Sequence, residues 1–329
     1  KIHNIIVPSY LKFEKTLEFI NTFKSLRENR KYIFDFKNLI HIDPFSLLCL
    51  SSEIALFKRN NPNSEFCVKN HEHRTYEAHM GFFQSFGVKY GKETGEANNN
   101  NNYIPITLYS VKEIKQEAQD LLINPAELLT KKSKEISTIL TRNSCDELKE
   151  VLTFCIREIF RNIVEHSKTD KFGFCAQFLP TKNKVIFSVL DTGIGIKESL
   201  SENPLLSLKN DLEAIYESLK PGISGKVYEG SKKTTNSIDA ETWRNSGYGL
   251  YMTSNICKNG GEFFIASKGS GLILNQNSSK NINLNITGTA LTLTIDTNSI
   301  SNLNEMLKDL NNKVSQEVKI KPSKSSMNK

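Results

Sequence analysis

Glu158 and Asn162 place a carboxylate and an amide four residues apart, one turn of helix, so both side chains share one edge. Thirty residues on, Asp191-Thr192-Gly193-Ile194-Gly195 ends an apolar run. A carboxylate at a strand tip can accept a hydrogen bond from the exocyclic amine of adenine, whereas guanine would present a carbonyl oxygen there and be repelled. Such a charge-assisted bond contributes about 1.5–3 kcal/mol. Gly193 and Gly195 let the backbone turn sharply and approach a flat base. Gly247-Tyr248-Gly249-Leu250 is a glycine turn that opens a helix, and it aims free amides and a positive dipole end at whatever lies before it. Phosphate is the natural occupant. Gly288-Thr289 precedes an alternating strand, Ala290 to Ile295. Taken singly, these segments read as a solvated helix flank, an Asp-Gly turn, a hinge and an ordinary strand threonine. Their order and spacing give them weight together.

The elements that must position them are legible. Ser144-Cys145-Asp146-Glu147 reads as a capping box, and Leu148, Val151, Leu152, Cys155, Ile156, Ile159 and Ile163 follow at helical spacing as one buried stripe. That phase puts Arg157 and Arg161 on the opposite, solvent face and lines up Glu158, Asn162 and His166 beside the stripe. Phe174 to Leu179 and Val185 to Leu190 flank a turn at Pro180 and read as an antiparallel pair. Leu250 to Lys258 reads as a helix closed by Gly260-Gly261.

With those residues in place, the second half of the chain resembles the GHKL ATP-binding family of gyrase, heat-shock chaperones, histidine kinases and anti-sigma-factor serine kinases. The resemblance implies a Bergerat-type α/β sandwich over residues 106–300, with a mixed, largely antiparallel sheet covered by helices on one face. It also implies ATP and Mg²⁺ as cofactors. Glu158 would position and deprotonate the attacking water, and Asn162 would give its side-chain oxygen to Mg²⁺. Asp191, Gly193, Gly195, Ile196 and Thr289 would form the adenine end; Gly247, Tyr248, Gly249 and Leu250 would complete the nucleotide site. Residues 196–246 would be the lid, beginning with a helix over Pro204 to Lys220. Lys226, Lys232, Lys233 and Arg244 could reach a γ-phosphate from it, although loop cations are ordinarily solvated, and no lid residue is assigned.

Residues 1–105 read as a separate α/β unit: strands at Ile5 to Val7, Tyr32 to Phe36 and Phe66 to Val68, a helix over Thr16 to Leu26, and a second helix ending near Arg59. The order resembles the STAS domain, the anti-sigma antagonist module that partners GHKL serine kinases. Phosphorylatable members carry Ser-Ser-Gly after an aspartate. Here Asp43 is followed by Pro44, Phe45 and Ser46, so Phe45 holds the usual acceptor position and a docking role is expected instead. His71-Glu72-His73-Arg74-Thr75 echoes a histidine-kinase phosphoacceptor box, but Gly87, Gly91, Gly95 and the asparagine run 98–102 cannot continue the helical hairpin such a box needs. A surface helix is expected there.

The length of 329 residues and 38% hydrophobic content suit two ordinary cores. The net charge of +7 suggests nucleic acid, yet residues 313–329 hold five lysines against one glutamate and supply +4 of it, so no nucleic-acid partner is assigned. Residues 301–329 read as a short helix and a disordered basic tail. The six cysteines lack Cys-x-x-Cys spacing, which argues against zinc and a disulfide framework. No signal peptide and no apolar run of membrane length occur, so a cytoplasmic protein without a membrane partner is expected; Lys1 is not methionine, so a preceding segment is expected too. Two function classes remain open. One is a nucleotide-driven ATPase switch in bacterial signalling or regulation, docking a protein partner through the STAS-like domain or pairing as a homodimer. The other is an anti-sigma-type serine/threonine kinase, to which His166, four residues past Asn162, is similar in placement. A histidine kinase, or an ATP/ADP-binding module without turnover, is the further alternative.

Overall fold

The computed structural model describes residues 2–27, 29–96, 102–141, 146–226 and 247–300, with 305, 306, 308, 309 and 312. The first stretch builds β1 (Ile2–Ile6), β2 (Tyr10–Leu11), α1 (Phe13–Phe23), β3 (Lys31–Asp35), β4 (His41–Ile42), α2 (Pro44–Asn60), β5 (Glu65–Lys69), α3 (Thr75–His79) and α4 (Phe82–Ser85). Strands β1, β3 and β5 form a parallel sheet in the order β1-β3-β5, and β2 pairs with β4. Helix α2 starts where the sequence provides both devices for it: the Asp43 carboxylate accepts from the Ser46 amide at 2.7 Å, and Pro44 occupies the first turn, where its missing N–H costs nothing. The His71 to Arg74 stretch is a turn ahead of α3 and not the expected surface helix, and the His71 ring packs on Phe83 and Tyr90.

The rest of the chain forms β6 (Tyr103–Ser110), α5 (Val111–Asp120), α6 (Pro125–Thr141), α7 (Asp146–His166), β7 (Lys171–Leu179), β8 (Lys184–Asp191), α8 (Ile196–Leu200), α9 (Asp211–Ser218), α10 (Gly249–Lys258), β9 (Glu262–Ser267), β10 (Ser270–Asn275), β11 (Ser279–Asn283) and β12 (Thr289–Asp296). Seven strands make one sheet in the order β11-β10-β9-β12-β8-β7-β6, and each adjacent pair is antiparallel, so the expected mixed sheet is purely antiparallel here. Ser144 and Cys145 of the anticipated capping box, and most of the tail, lie outside the described residues.

The sheet is covered on both faces, where one was expected. Phe174 and Ala176 face a core shared with α5, α6, α7 and α10, while Cys175 between them faces α2; all three are buried. Val189 and Leu190 divide the same way, as do Leu291 and Ala290. That is why β7 and β8 read as near-continuous apolar runs: a sheet with one face in water would have given strict alternation. The covering layer is the N-terminal unit itself. The Phe13 and Phe45 rings pack on Phe264 with centroids 3.7 and 5.2 Å away, and the Cys175 thiol donates to the Pro44 carbonyl at 3.1 Å. The Asp43–Pro44–Phe45 corner is therefore seated on the chain's own sheet.

The helix expected over Pro204 to Lys220 is shorter, spanning only Asp211–Ser218. Asn210 caps α9 by accepting from the Glu213 amide at 2.9 Å, and residues 203–210 form no helix, with Leu205 exposed. The leucine spacing from Pro204 suggested one long helix, but an asparagine favours the cap over the interior. Among the described residues no helix is long and apolar enough to cross a membrane.

Candidate functional site: a cleft between the long helix and the sheet

Helix α7, the ends of β8 and β12, α8 and the start of α10 surround a cleft of about 840 Å³, its open mouth included. Ile159, Ile163, Val189, Ile196, Leu200, Ile265 and Leu291 give it apolar walls, while Asn162, Asp191, Thr289, His166 and Ser199 supply polar groups. This balance suits a ligand with one flat apolar portion and a few directional contacts. Of the residues singled out in the sequence, Asn162, Asp191, Gly195, Ile196, Gly247, Gly249, Leu250 and Thr289 line it. They come from four segments spread over about 130 residues of chain.

Asp191 ends β8, and antiparallel register sets Thr289 directly across from it. Its carboxylate is 3% exposed, and Oδ1 accepts from the Gly193 amide at 2.8 Å. Burial pushes its pKa up to about 6, against the pull of the Gly193 amide, the Lys268 ammonium and the Thr289 amide. The turn that follows needs its glycines for packing. A Cβ on Gly193 would lie 2.0 Å from the Ser167 carbonyl oxygen, the acceptor of the Ile194 amide at 2.8 Å. Gly193 thus stands behind the cleft wall and fastens the turn to the end of α7. Gly288, at φ +77°, crosses the Asp191 backbone so closely that a Cβ would meet its carbonyl oxygen at 2.1 Å. Gly288→Ala is expected to lower stability by about 1–3 kcal/mol, through left-handed strain and loss of this crossing; denaturant unfolding against the wild type measures it.

Glu158 is placed otherwise than the sequence implied. It is 1% exposed and does not line the cleft. Its Oε1 accepts from Arg157 Nη2 at 2.9 Å and Nε at 3.1 Å, with Arg161 Nη1 at 3.7 Å. Arg157 and Arg161, expected in solvent, are 9% and 1% exposed. A buried carboxylate needs positive charge close by, and the i−1 and i+3 positions of its own helix supply it. Helical phase alone could not reveal that this flank is covered. Oε2 has no hydrogen-bond partner among the described residues and rests on Gly249, where a Cβ would come within 2.4 Å. Gly249 is a glycine so that α10 can pack on this carboxylate. Tyr248 is fully buried in the core and does not line the cleft.

His166 does line the cleft; burial lowers its pKa to about 4, so it is neutral at pH 7. Its neighbour Glu165 is pushed up to about 7 by burial, against the Arg161 guanidinium at 3.3 Å. The Lys226 ammonium is bound to the Glu165 carbonyl. Lys232, Lys233 and Arg244 lie outside the described residues. Sequence reading missed Ser167, Ile223, Ser224 and Gly225 at the cleft; the only signal for the last three was the glycine-serine composition of the segment after Pro221, and Ser167 gave none.

The donor set fits a purine nucleotide. A buried carboxylate beside a backbone turn and apolar walls suits an aminopurine. Among the described residues no cluster of three His, Cys, Asp or Glu side chains could hold a metal, so an ion here would rest on Asn162 and on oxygens of the ligand. Magnesium, which keeps several waters, tolerates that. No model of a known protein family matches the chain, and no curated protein matches it either.

Proposed function

We propose that this cleft binds ATP with Mg²⁺ and that the protein is a nucleotide-driven conformational switch related to the GHKL ATPases. The observation that carries the reading is the convergence of Asn162, Asp191 with Thr289, and the Gly247–Leu250 helix start on one cleft. Asp191 receives the adenine amine and rejects guanine. Asn162 offers its side-chain oxygen to Mg²⁺, and the amides at the start of α10 face the phosphates, where the helix dipole favours negative charge. Bound Mg·ATP supplies the scissile phosphoanhydride; the chain supplies orientation and a largely apolar enclosure.

A second reading, nucleotide binding without turnover, is favoured by Glu158, whose carboxylate is held by Arg157 outside the cleft. For Glu158 to act as a base it must exchange that guanidinium for a water. Incubation with γ-labelled ATP separates the readings: free labelled phosphate supports the ATPase, label on protein supports the kinase, and undiminished ATP supports binding alone.

The Asp191 pKa gives a pH prediction. The amine is recognised by the ionised carboxylate, and a raised pKa leaves most molecules protonated below about pH 6. ATP affinity is therefore expected to fall roughly tenfold from pH 7 to pH 5, one unit below that pKa. Asp191→Asn should flatten the profile between those values, which distinguishes Asp191 from the titration of Glu165. Fluorescence titration with a labelled ATP across the range measures it.

A further inference from the structure

The strand that delivers Thr289 to the cleft is reached through a short loop, residues 284–288, and this loop is gripped by the N-terminal unit. The Lys24 ammonium, at the end of α1, donates to the Asn285 carbonyl at 2.7 Å. The same ammonium lies 3.3 Å from Glu53 Oε1 and 3.2 Å from Oε2. Glu53, on α2, is 2% exposed, and the nearby Thr287 amide favours its ionised form against the upward push of burial. Leu284 and Ile286 bury their side chains in the N-terminal core. From the other side, the Lys268 amide donates to the Gly288 carbonyl at 3.2 Å, its carbonyl accepts from Ile286 at 2.9 Å, and its ammonium reaches the Gly193 carbonyl at 3.2 Å. The next residues in the chain are Gly288, packed on the Asp191 backbone, and Thr289, its register partner.

We propose that the Lys24–Glu53 pair, with Glu53 buried and Lys24 half-buried, is a positioning device for the adenine end of the cleft: it fixes the 284–288 loop, so the seating of the N-terminal unit sets base affinity and selectivity. An ion pair with one partner still in contact with solvent contributes little stability by itself. What it supplies is a defined position for backbone groups at Asn285 and Thr287. Any ligand of the N-terminal unit that displaces α1 against α2 would then change nucleotide affinity, and nucleotide would by linkage change affinity for that ligand. The proposal rests on the ATP reading of the cleft for its functional consequence, though not for its structural one.

Glu53→Gln, Lys24→Met and the double variant test it in the full-length chain, with Ile54→Val as a control that loosens the same core and leaves the ion pair intact. Hydrogen–deuterium exchange without nucleotide is read first. Faster exchange of the 284–289 amides and of the 191–195 turn is expected in Glu53→Gln and Lys24→Met, but not in Ile54→Val. ATP affinity is then expected to fall three- to tenfold and the ATP-to-GTP preference to narrow. The double variant should be no worse than either single, because the two side chains act as one unit. Unchanged exchange at 284–289, an Ile54→Val effect of the same size, or an ATP-to-GTP ratio within twofold of wild type would overturn the proposal. Wild-type protein that binds no ATP while the exchange result holds would overturn the nucleotide reading and leave the clamp standing as a structural device.

Discussion

Glu158→Ala is expected to lose about 3–5 kcal/mol of folding stability, because it removes the carboxylate bound by the buried Arg157 guanidinium and leaves Arg161 with Glu165 alone as its carboxylate neighbour. Arg157 and Arg161 both approach the same oxygen, and neither has ready access to water. If the wild type turns ATP over with Glu158 as base, the variant should also lose roughly 10²- to 10⁴-fold in turnover. The two effects can be separated. Glu158→Gln keeps the volume and one acceptor beside Arg157, so its melting temperature should lie between those of wild type and the alanine variant, while its turnover should match that of the alanine variant. Thermal unfolding followed in parallel with phosphate release gives both readings. A Glu158→Ala variant as stable as wild type would contradict the buried ion pair.

Asp191→Asn is expected to weaken ATP binding by at least tenfold, in line with loss of a charge-assisted hydrogen bond worth about 1.5–3 kcal/mol. The variant tests recognition more than folding. The Gly193 amide still finds an acceptor in the asparagine oxygen, and removing a carboxylate that burial has already pushed up to about 6 relieves the fold of a desolvated charge near neutral pH. Affinity should therefore drop while the melting temperature holds or rises. The asparagine also presents an N–H₂ donor that can meet the guanine carbonyl, so the preference for ATP over GTP should shrink with it. Isothermal titration of both nucleotides into both proteins measures the four constants.

Much of this arrangement was visible in the sequence because local rules fix it. The stripe from Leu148 to Ile163 announces α7, and the turn at Pro180 announces the β7–β8 pair. The four short segments announced a common cleft because glycines and polar side chains at element ends have few other uses in such an order. What escaped depended on layers meeting from far along the chain. No local signal told that Cys175, Leu190 and Ala290 would meet α2 instead of water, so the second covered face of the sheet went unread. The burial of Arg157 and Arg161 was hidden for the same reason, since charge argues for solvent until a carboxylate such as Glu158 is found beside it. Gly193 was read as bringing the backbone up to a base and Gly249 as part of a phosphate-facing turn; what occupies the space at their Cβ positions is Ser167 and Glu158. The late start of α9 turned on a single cap, Asn210, against a leucine pattern that favoured a longer helix.

The account stands most directly on whether Asp191 and Thr289 form the base-reading end of a nucleotide site. Calorimetric titration of the wild-type chain with ATP and with GTP, each with and without Mg²⁺ at pH 7, decides it. ATP binding that is at least tenfold tighter than GTP binding, and strengthened by Mg²⁺, is the result expected. Equal affinities for the two nucleotides, or no heat with either, would contradict it.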